Sequence, residues 1–166
     1  MNDTTPLERI QPCLLDRLTD DDPGNPQESR HQRVVQLPRY KRGVLRDLEW
    51  LFNCSAHLPE EGRKKFHIDF FPKAARSVVN YGTRHLCGLA APDMRELERQ
   101  MTDAILLFEP RILRNSLNVK AFMERNMISF EIRGELWANP IPEHLFISTK
   151  IDLETGQVAL GDRSNE

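Results

Sequence analysis

The sequence feature that most constrains the fold is a change of hydrophobic period at Pro110. Before this proline, apolar residues recur every three or four positions, and after it they alternate with polar residues. The first spacing is typical of an amphipathic helix, and the second of a strand with one buried face. The order predicts an α+β domain in which N-terminal helices pack on one face of a small C-terminal antiparallel sheet.

Two long helices are expected before Pro110. The first covers residues 40–52, with an apolar stripe of Val44, Leu45, Leu48, Leu51 and Phe52. The second begins at Pro92 and stops before Pro110, because the residue before a proline avoids helical backbone angles. Its stripe consists of Met94, Leu97, Met101, Ile105 and Phe108. Shorter helices are predicted from Pro12 and over 72–80, with Gly82 in a positive-φ cap, and 59–65 is predicted as a polar turn at Gly62.

The alternating part of the chain predicts strands over 117–121, 128–136 and 145–153. A turn at Gly156 is expected to let residues 157–160 pair back on the third strand. A small sheet of this kind leaves at least one edge unpaired, and such an edge accepts a strand from another chain unless it is blocked.

The chain has 166 residues, which suits one folded domain. We expect a short helix and a polar, partly mobile linker over 1–36, the α+β domain over 37–160, and a tail over 161–166. The balance of 23 basic and 25 acidic residues gives no sign of nucleic-acid binding. Three separated cysteines, a polar N-terminus and no long apolar run predict a cytoplasmic protein.

The triplet Glu109-Pro110-Arg111 is the most distinctive local motif, at the predicted junction of helix and sheet. Proline restricts the backbone, and arginine offers a planar fork that matches a carboxylate. The triplet could therefore form an internal ion pair or bind a partner. A glycoside hydrolase needs a second carboxylate across a cleft, and no second carboxylate is marked by position.

The other reactive side chains form a loose set, Cys54 with His57 and His85 with Cys87. Zinc sites use tighter paired spacings, and a catalytic cysteine needs a base and an orienting group. We therefore expect no catalytic residue, no metal and no cofactor.

Several segments, in order, match one family. They are Leu14–Leu18, Arg46–Asn53, Ser77–Gly82, Glu109–Arg111, Phe130–Pro140 and Thr149–Gly156. Together they make the chain resemble the baseplate wedge family, which includes the type VI secretion subunit TssE and phage-tail wedge proteins sometimes labelled lysozyme-like. The segments around 59–65 and 83–88 depart from the family pattern.

The resemblance implies a structural role and no enzymatic activity. It implies a wedge with TssF, TssG and TssK, contacted through Glu109, Pro110 and Arg111. It also implies a link to the TssB–TssC contractile sheath, whose assembly the sheet edge would help to start, at the cytoplasmic side of the inner membrane. Loss of Arg111 is expected to leave a folded chain that does not join the wedge. A peptidoglycan hydrolase and a regulatory adaptor remain as alternatives.

Overall fold

The computed structural model describes residues 13–19, 24, 37–54, 60–83, 93–124, 127–138, 142–152 and 158–162. Helices precede strands along the chain, so the predicted α+β class is confirmed. The helices are α1 (Leu14–Leu18), α2 (Leu37–Asn53), α3 (Glu60–Lys65), α4 (Pro72–Ala75) and α5 (Met94–Phe108). The strands are β1 (Asn118–Glu124), β2 (Met127–Leu136), β3 (Glu143–Asp152) and β4 (Val158–Asp162).

The four strands form one sheet in the order β1-β2-β3-β4, and every neighbouring pair is antiparallel. Strand β4 pairs with β3 from Val158 opposite Ile151 to Asp162 opposite Ile147. The predicted return of the chain after Gly156 is therefore confirmed. Strands β1 and β4 are the two edges of the described sheet.

The core lies between the sheet and the two long helices, as the stripes predicted. Helix α5 packs against β1, and α2 reaches β4. The predicted Leu45 and the ends of the α5 stripe, Met94 and Phe108, are only partly buried. Each fully buried aliphatic side chain contributes about 1.5–3 kcal/mol relative to exposure. The buried residues of these elements include Val44, Leu48, Leu51, Leu97, Met101, Ile105, Ile128, Phe130, Ile132, Leu136, Leu145, Ile147 and Ile151.

The segment 59–65 differs from its prediction, because residues 60–65 form helix α3. Gly62 favours a turn in the sequence pattern, but three basic residues, Arg63, Lys64 and Lys65, occupy the last turn of the helix. Cations at a helix C-terminus interact favourably with its dipole. This stabilisation offsets the cost of one glycine, about 1 kcal/mol relative to alanine.

The predicted helix over 72–80 is divided into two pieces. Helix α4 ends at Ala75, and Ser77 adopts an extended conformation before a 3-10 turn over Val78–Asn80. The Ser77 side chain accepts a hydrogen bond from the Val79 N–H at 3.3 Å. Serine favours such a cap, and adjacent valines lower helix propensity, so the break has a local cause. Gly82 has φ of 119°, which confirms the predicted positive value.

The first helix, α1, begins at Leu14 after Cys13, whose sulfur accepts a hydrogen bond from the Asp16 N–H. The expected start at Pro12 lies outside the described residues, and so does most of the predicted linker, since only Thr19 and Gly24 of it are described. None of the helices in the described ranges has both the length and the apolar character that a bilayer-spanning helix requires.

Candidate functional site

The predicted triplet forms a tight corner between α5 and the sheet. The Glu109 N–H donates to the Ile105 carbonyl at 2.8 Å, and Pro110 then prevents the helix from continuing. Arg111 turns back on Glu109, whose Oε1 accepts from the Arg111 backbone N at 3.1 Å and from Nε at 2.6 Å. The other carboxylate oxygen of Glu109, Oε2, accepts a hydrogen bond from Arg111 Nη2. The Glu109 side chain is only 3% exposed, so this carboxylate is buried and fully paired.

The corner is one end of a longer ion-pair network that reaches two other helices. Arg111 Nη2 also donates to Asp47 Oδ2 on α2 at 2.6 Å. Arg46 donates to Asp47 Oδ1 through Nε and Nη2, at 3.0 and 2.9 Å. Arg46 Nη1 donates to Asp16 Oδ1 on α1 at 2.6 Å. Three carboxylates and two guanidinium groups therefore alternate from the end of α5 to α1.

The network favours the charged forms of three of its side chains, Asp16, Arg46 and Arg111. Burial alone would raise the pKa of Asp16, but hydrogen bonds from Cys13 and Arg46 and the Arg46 charge outweigh it and lower that pKa. Burial alone would lower the pKa of Arg111, but hydrogen bonds and the charges of Glu109 and Asp47 raise it. The pKa of Arg46 is raised in the same way by Asp16 and Asp47. The ion pair between Asp16 and Arg46 consequently persists across the physiological pH range.

Backbone hydrogen bonds fix the corner to the end of β2. The Trp137 N–H donates to the Arg111 carbonyl at 2.7 Å, and the Leu113 N–H donates to the Glu135 carbonyl at 2.8 Å. The Tyr40 hydroxyl on α2 donates to the Trp137 carbonyl at 3.0 Å. Burial raises the pKa of Tyr40. Helix α2, the corner and β2 therefore form one rigid unit.

The exposed part of the network differs from the triplet predicted from the sequence. Glu109 faces inward, whereas the side chains of Arg46 and Asp47 are 33% and 26% exposed. Arg46 also stacks over Trp50, at 5.3 Å from its ring centroid, and Trp50 is 52% exposed. The sequence placed Arg46, Asp47 and Asp16 in matching motifs but gave them no role. The sequence signal that could have identified these residues is the presence of charged side chains in three separate motifs.

Side chains from the helices also contact both edges of the sheet. At β1, the Ala121 N–H donates to Glu98 Oε1 of α5 at 2.9 Å. At β4, the side chain of Asn53 binds both the N–H and the carbonyl of Val158. Neither contact was predicted, because the partners are far apart in the sequence.

The predicted thiol and imidazole set cannot be assembled from the described chain. Cys54 is exposed, and its sulfur lies 3.9 Å from the Tyr81 carbonyl oxygen. His57, His85 and Cys87 lie outside the described residues. Among the residues that are described, no group of three potential metal ligands is found.

Comparison with known proteins adds one finding. A family model described as baseplate wedge protein gp25 matches residues 39–141, more than half of the chain. The matched range contains all of α2 except its first two residues, together with the corner and β2, and it ends before β3. No curated protein and no solved structure matches the chain.

Proposed function

Since this chain belongs to the gp25 family of baseplate wedge proteins, we propose that it is a TssE-type structural subunit of a type VI secretion baseplate. In this role it joins the wedge of TssF, TssG and TssK to the TssB–TssC contractile sheath and helps to start sheath assembly. The apparatus holds it at the cytoplasmic face of the inner membrane.

The observation that carries the proposal is the ion-pair network, because it uses three of the family motifs to hold three helices together. Arg111 binds Glu109 and also Asp47, which lies 64 positions before Arg111 in the sequence. Such a network costs desolvation energy and is weak evidence for stability alone, although it does fix relative positions. A rigid, charged corner suits a subunit that must present one surface in one orientation to a wedge.

The wedge contact uses the outer side of this network together with Glu109, Pro110 and Arg111. Exposed Trp50 stacked on Arg46 offers an aromatic and arginine pair, the residue types that dominate binding energy at protein interfaces. Buried Glu109 acts on this surface through Arg111, whose side chain is 20% exposed.

Trp50→Ala tests the wedge contact without disturbing the core, since the side chain is mostly exposed. We expect the variant to capture at least tenfold less TssF–TssG on co-purification, at an unchanged melting temperature. Phe70→Ala is the matched control, because Phe70 is an exposed aromatic residue outside the network. Equal capture by the two variants would contradict this contact.

The sheath contact uses the sheet edge, by addition of a strand from TssB or TssC. Strand β4 is an edge of the described sheet, and edge strands template such pairing. Leu160→Pro removes one backbone donor from this edge, and Leu160→Ala controls for the lost side chain. We expect sheaths to assemble in cells with the alanine variant and not with the proline variant. Intact contractile sheaths in cells deleted for the gene would overturn the assembly role.

An absence of enzymatic activity is part of the proposal. Both Glu109 oxygens accept hydrogen bonds from Arg111, and the group is almost inaccessible, which is a poor arrangement for a glycosidase acid. A zymogram of the purified protein on peptidoglycan tests this directly, and clearing of the substrate would favour the hydrolase. Co-purification with a protease adaptor in place of TssF and TssG would favour the regulatory role.

A further inference from the structure

Asn53 contacts the β4 edge in the way that a neighbouring strand would. Its Oδ1 accepts from the Val158 N–H at 3.0 Å, and its Nδ2 donates to the Val158 carbonyl at 3.2 Å. One side-chain amide thus satisfies the donor and the acceptor of one edge residue. The same Nδ2 donates to the Glu49 carbonyl at 2.9 Å, so the amide is held in a single orientation.

The position of Asn53 is fixed by the end of α2. The Thr83 hydroxyl donates to the Phe52 carbonyl at 3.2 Å, and the Thr83 N–H donates to the Cys54 carbonyl at 2.9 Å. These bonds satisfy helix-terminal carbonyls that would otherwise lack partners. Asn53, the last residue of α2, lies between them and has little freedom to move away from Val158.

The hydrogen-bond alternation of the sheet shows which β4 residues face outward. Along an antiparallel strand, the backbone N–H and carbonyl of one residue bond to the neighbouring strand, and those of the next residue point to the opposite side. The backbone N–H and carbonyl of Val158 bond to Asn53 and therefore point away from β3. By the same alternation, the backbone groups of Leu160 and Asp162 also point away from β3. The opposite edge agrees with this alternation. The Ala121 N–H bonds to Glu98 and so points away from β2. Ala121 lies opposite Phe130, Phe130 opposite Thr149, and Thr149 opposite Leu160, so the Leu160 backbone points away from β3.

We infer that Asn53 is a register stop for the strand that joins β4, an inference that rests on the strand addition proposed above. A slip of one residue moves every side chain of an added strand to the other face of the sheet. A slip of two residues keeps each side chain on its face, so the alternation of apolar and polar residues does not prevent it. Asn53 occupies the pairing positions of Val158. An added strand therefore begins its pairing at Leu160 and cannot slide two residues toward α2.

Disulfide cross-linking reports this register. In the full chain with Cys13, Cys54 and Cys87 changed to serine, Gly161→Cys places a thiol on β4. Gly161 is exposed, and an added Cβ there meets only the Ser148 carbonyl oxygen, at 3.5 Å. The backbone groups of Leu160 and Asp162 point toward the added strand, and those of Gly161 point toward β3. Position 161 and the residue opposite it in the added strand therefore form a non-hydrogen-bonded pair, with Cα atoms about 4.5 Å apart. That separation permits a disulfide. The probe is the TssB–TssC complex with single cysteines at successive positions of its terminal strands.

With Asn53 present, we expect cross-links at one position of the sheath strand. With Asn53→Ala, we expect that position and a second one shifted by two residues. Asn53→Asp keeps the acceptor for the Val158 N–H and loses the donor, so it is expected to give a smaller share of the shifted product. Glu98→Ala is the control at the opposite edge and is expected to leave the pattern unchanged.

One position in both the parent and Asn53→Ala would overturn the register stop while leaving strand addition intact. No cross-link in either protein would instead contradict strand addition at β4 itself. A melting curve for each variant establishes that it is folded. If Asn53→Ala does not fold, Asn53→Asp decides the question by the same two patterns.

Discussion

Arg111→Met is expected to destabilise the fold far more than the loss of a surface ion pair. The substitution keeps much of the side-chain volume and removes the guanidinium that binds Glu109 and Asp47. Among the described residues, Glu109, which is 3% exposed, then keeps the backbone N–H of position 111 as its one hydrogen-bond donor. Removing one partner of a buried ion pair costs about 3–5 kcal/mol, because the other charge stays buried without compensation.

This loss is large compared with the total stability of a small domain, about 5–15 kcal/mol. It corresponds to a fall in Tm on the order of 10 °C for a chain of this length. Urea unfolding at 25 °C, followed by circular dichroism and by tryptophan fluorescence, measures it. The expectation drawn from sequence alone, that the chain stays folded without Arg111, is revised to a fold that is retained but much weakened.

The double variant Glu109→Met with Arg111→Met separates the buried charge from lost packing. Replacing both partners of a buried pair by apolar groups is often close to neutral, so the double variant is expected to be more stable than Arg111→Met. The difference between the double variant and the sum of the single variants gives the coupling energy. A loss below about 1 kcal/mol for Arg111→Met, the range of exposed ion pairs, would refute the reasoning.

Three further predictions concern single side chains. Thr149 is fully buried, and its hydroxyl has no hydrogen-bond partner within the described structure, so Thr149→Val is expected to raise the unfolding free energy by about 1–3 kcal/mol in urea titration. Because the folded pKa of Asp16 is lowered, its contribution to stability is present above its ordinary pKa of 3.8 and is lost as pH falls through the folded value. Asp16→Asn is therefore expected to reduce the fall in Tm with acidification in melts between pH 2 and pH 5. Tyr40→Phe removes the bond to the Trp137 carbonyl and is expected to cost about 0.5–1.5 kcal/mol. Because the folded pKa of Tyr40 is raised, its contribution is present below pH 10 and declines above it, and Tyr40→Phe is expected to remove that alkaline decline.

The elements that the sequence predicted well are those with a strong apolar period. Helix α2, helix α5 and strands β2 and β3 each bury one face, so burial and local pattern agree, whereas β4 was predicted from the turn at Gly156. Helix α3 was missed because none of its described side chains, at 61–65, is buried, and Gly62 dominates a local interpretation. The division after Ala75 depends on one serine cap, which competes with helix continuation at small cost.

The candidate site was predicted only where its parts are adjacent in sequence. Glu109 and Arg111 are two positions apart, and their ion pair was one of two alternatives that the sequence allowed. The contact of Arg111 with Asp47 spans 64 positions, and that of Asn53 with Val158 spans 105. No periodicity encodes such pairs, because they exist only after the core has brought α2 to the corner and to β4.

Helix α1 is attached to the domain by charge more than by apolar burial. It has five residues, too few to be stable alone, and Leu14 and Leu18 are 70% and 75% exposed. Its described polar contacts with the domain converge on Arg46, which binds Asp16 at 2.6 Å and the sulfur of Cys13 at 3.5 Å. Partly exposed ion pairs weaken as added salt shortens the Debye length from about 10 Å at 0.1 M to about 3 Å at 1 M. Helix α1 is therefore expected to separate from Arg46 at high salt, or when another carboxylate competes for Arg46, while the sheet and its long helices stay folded.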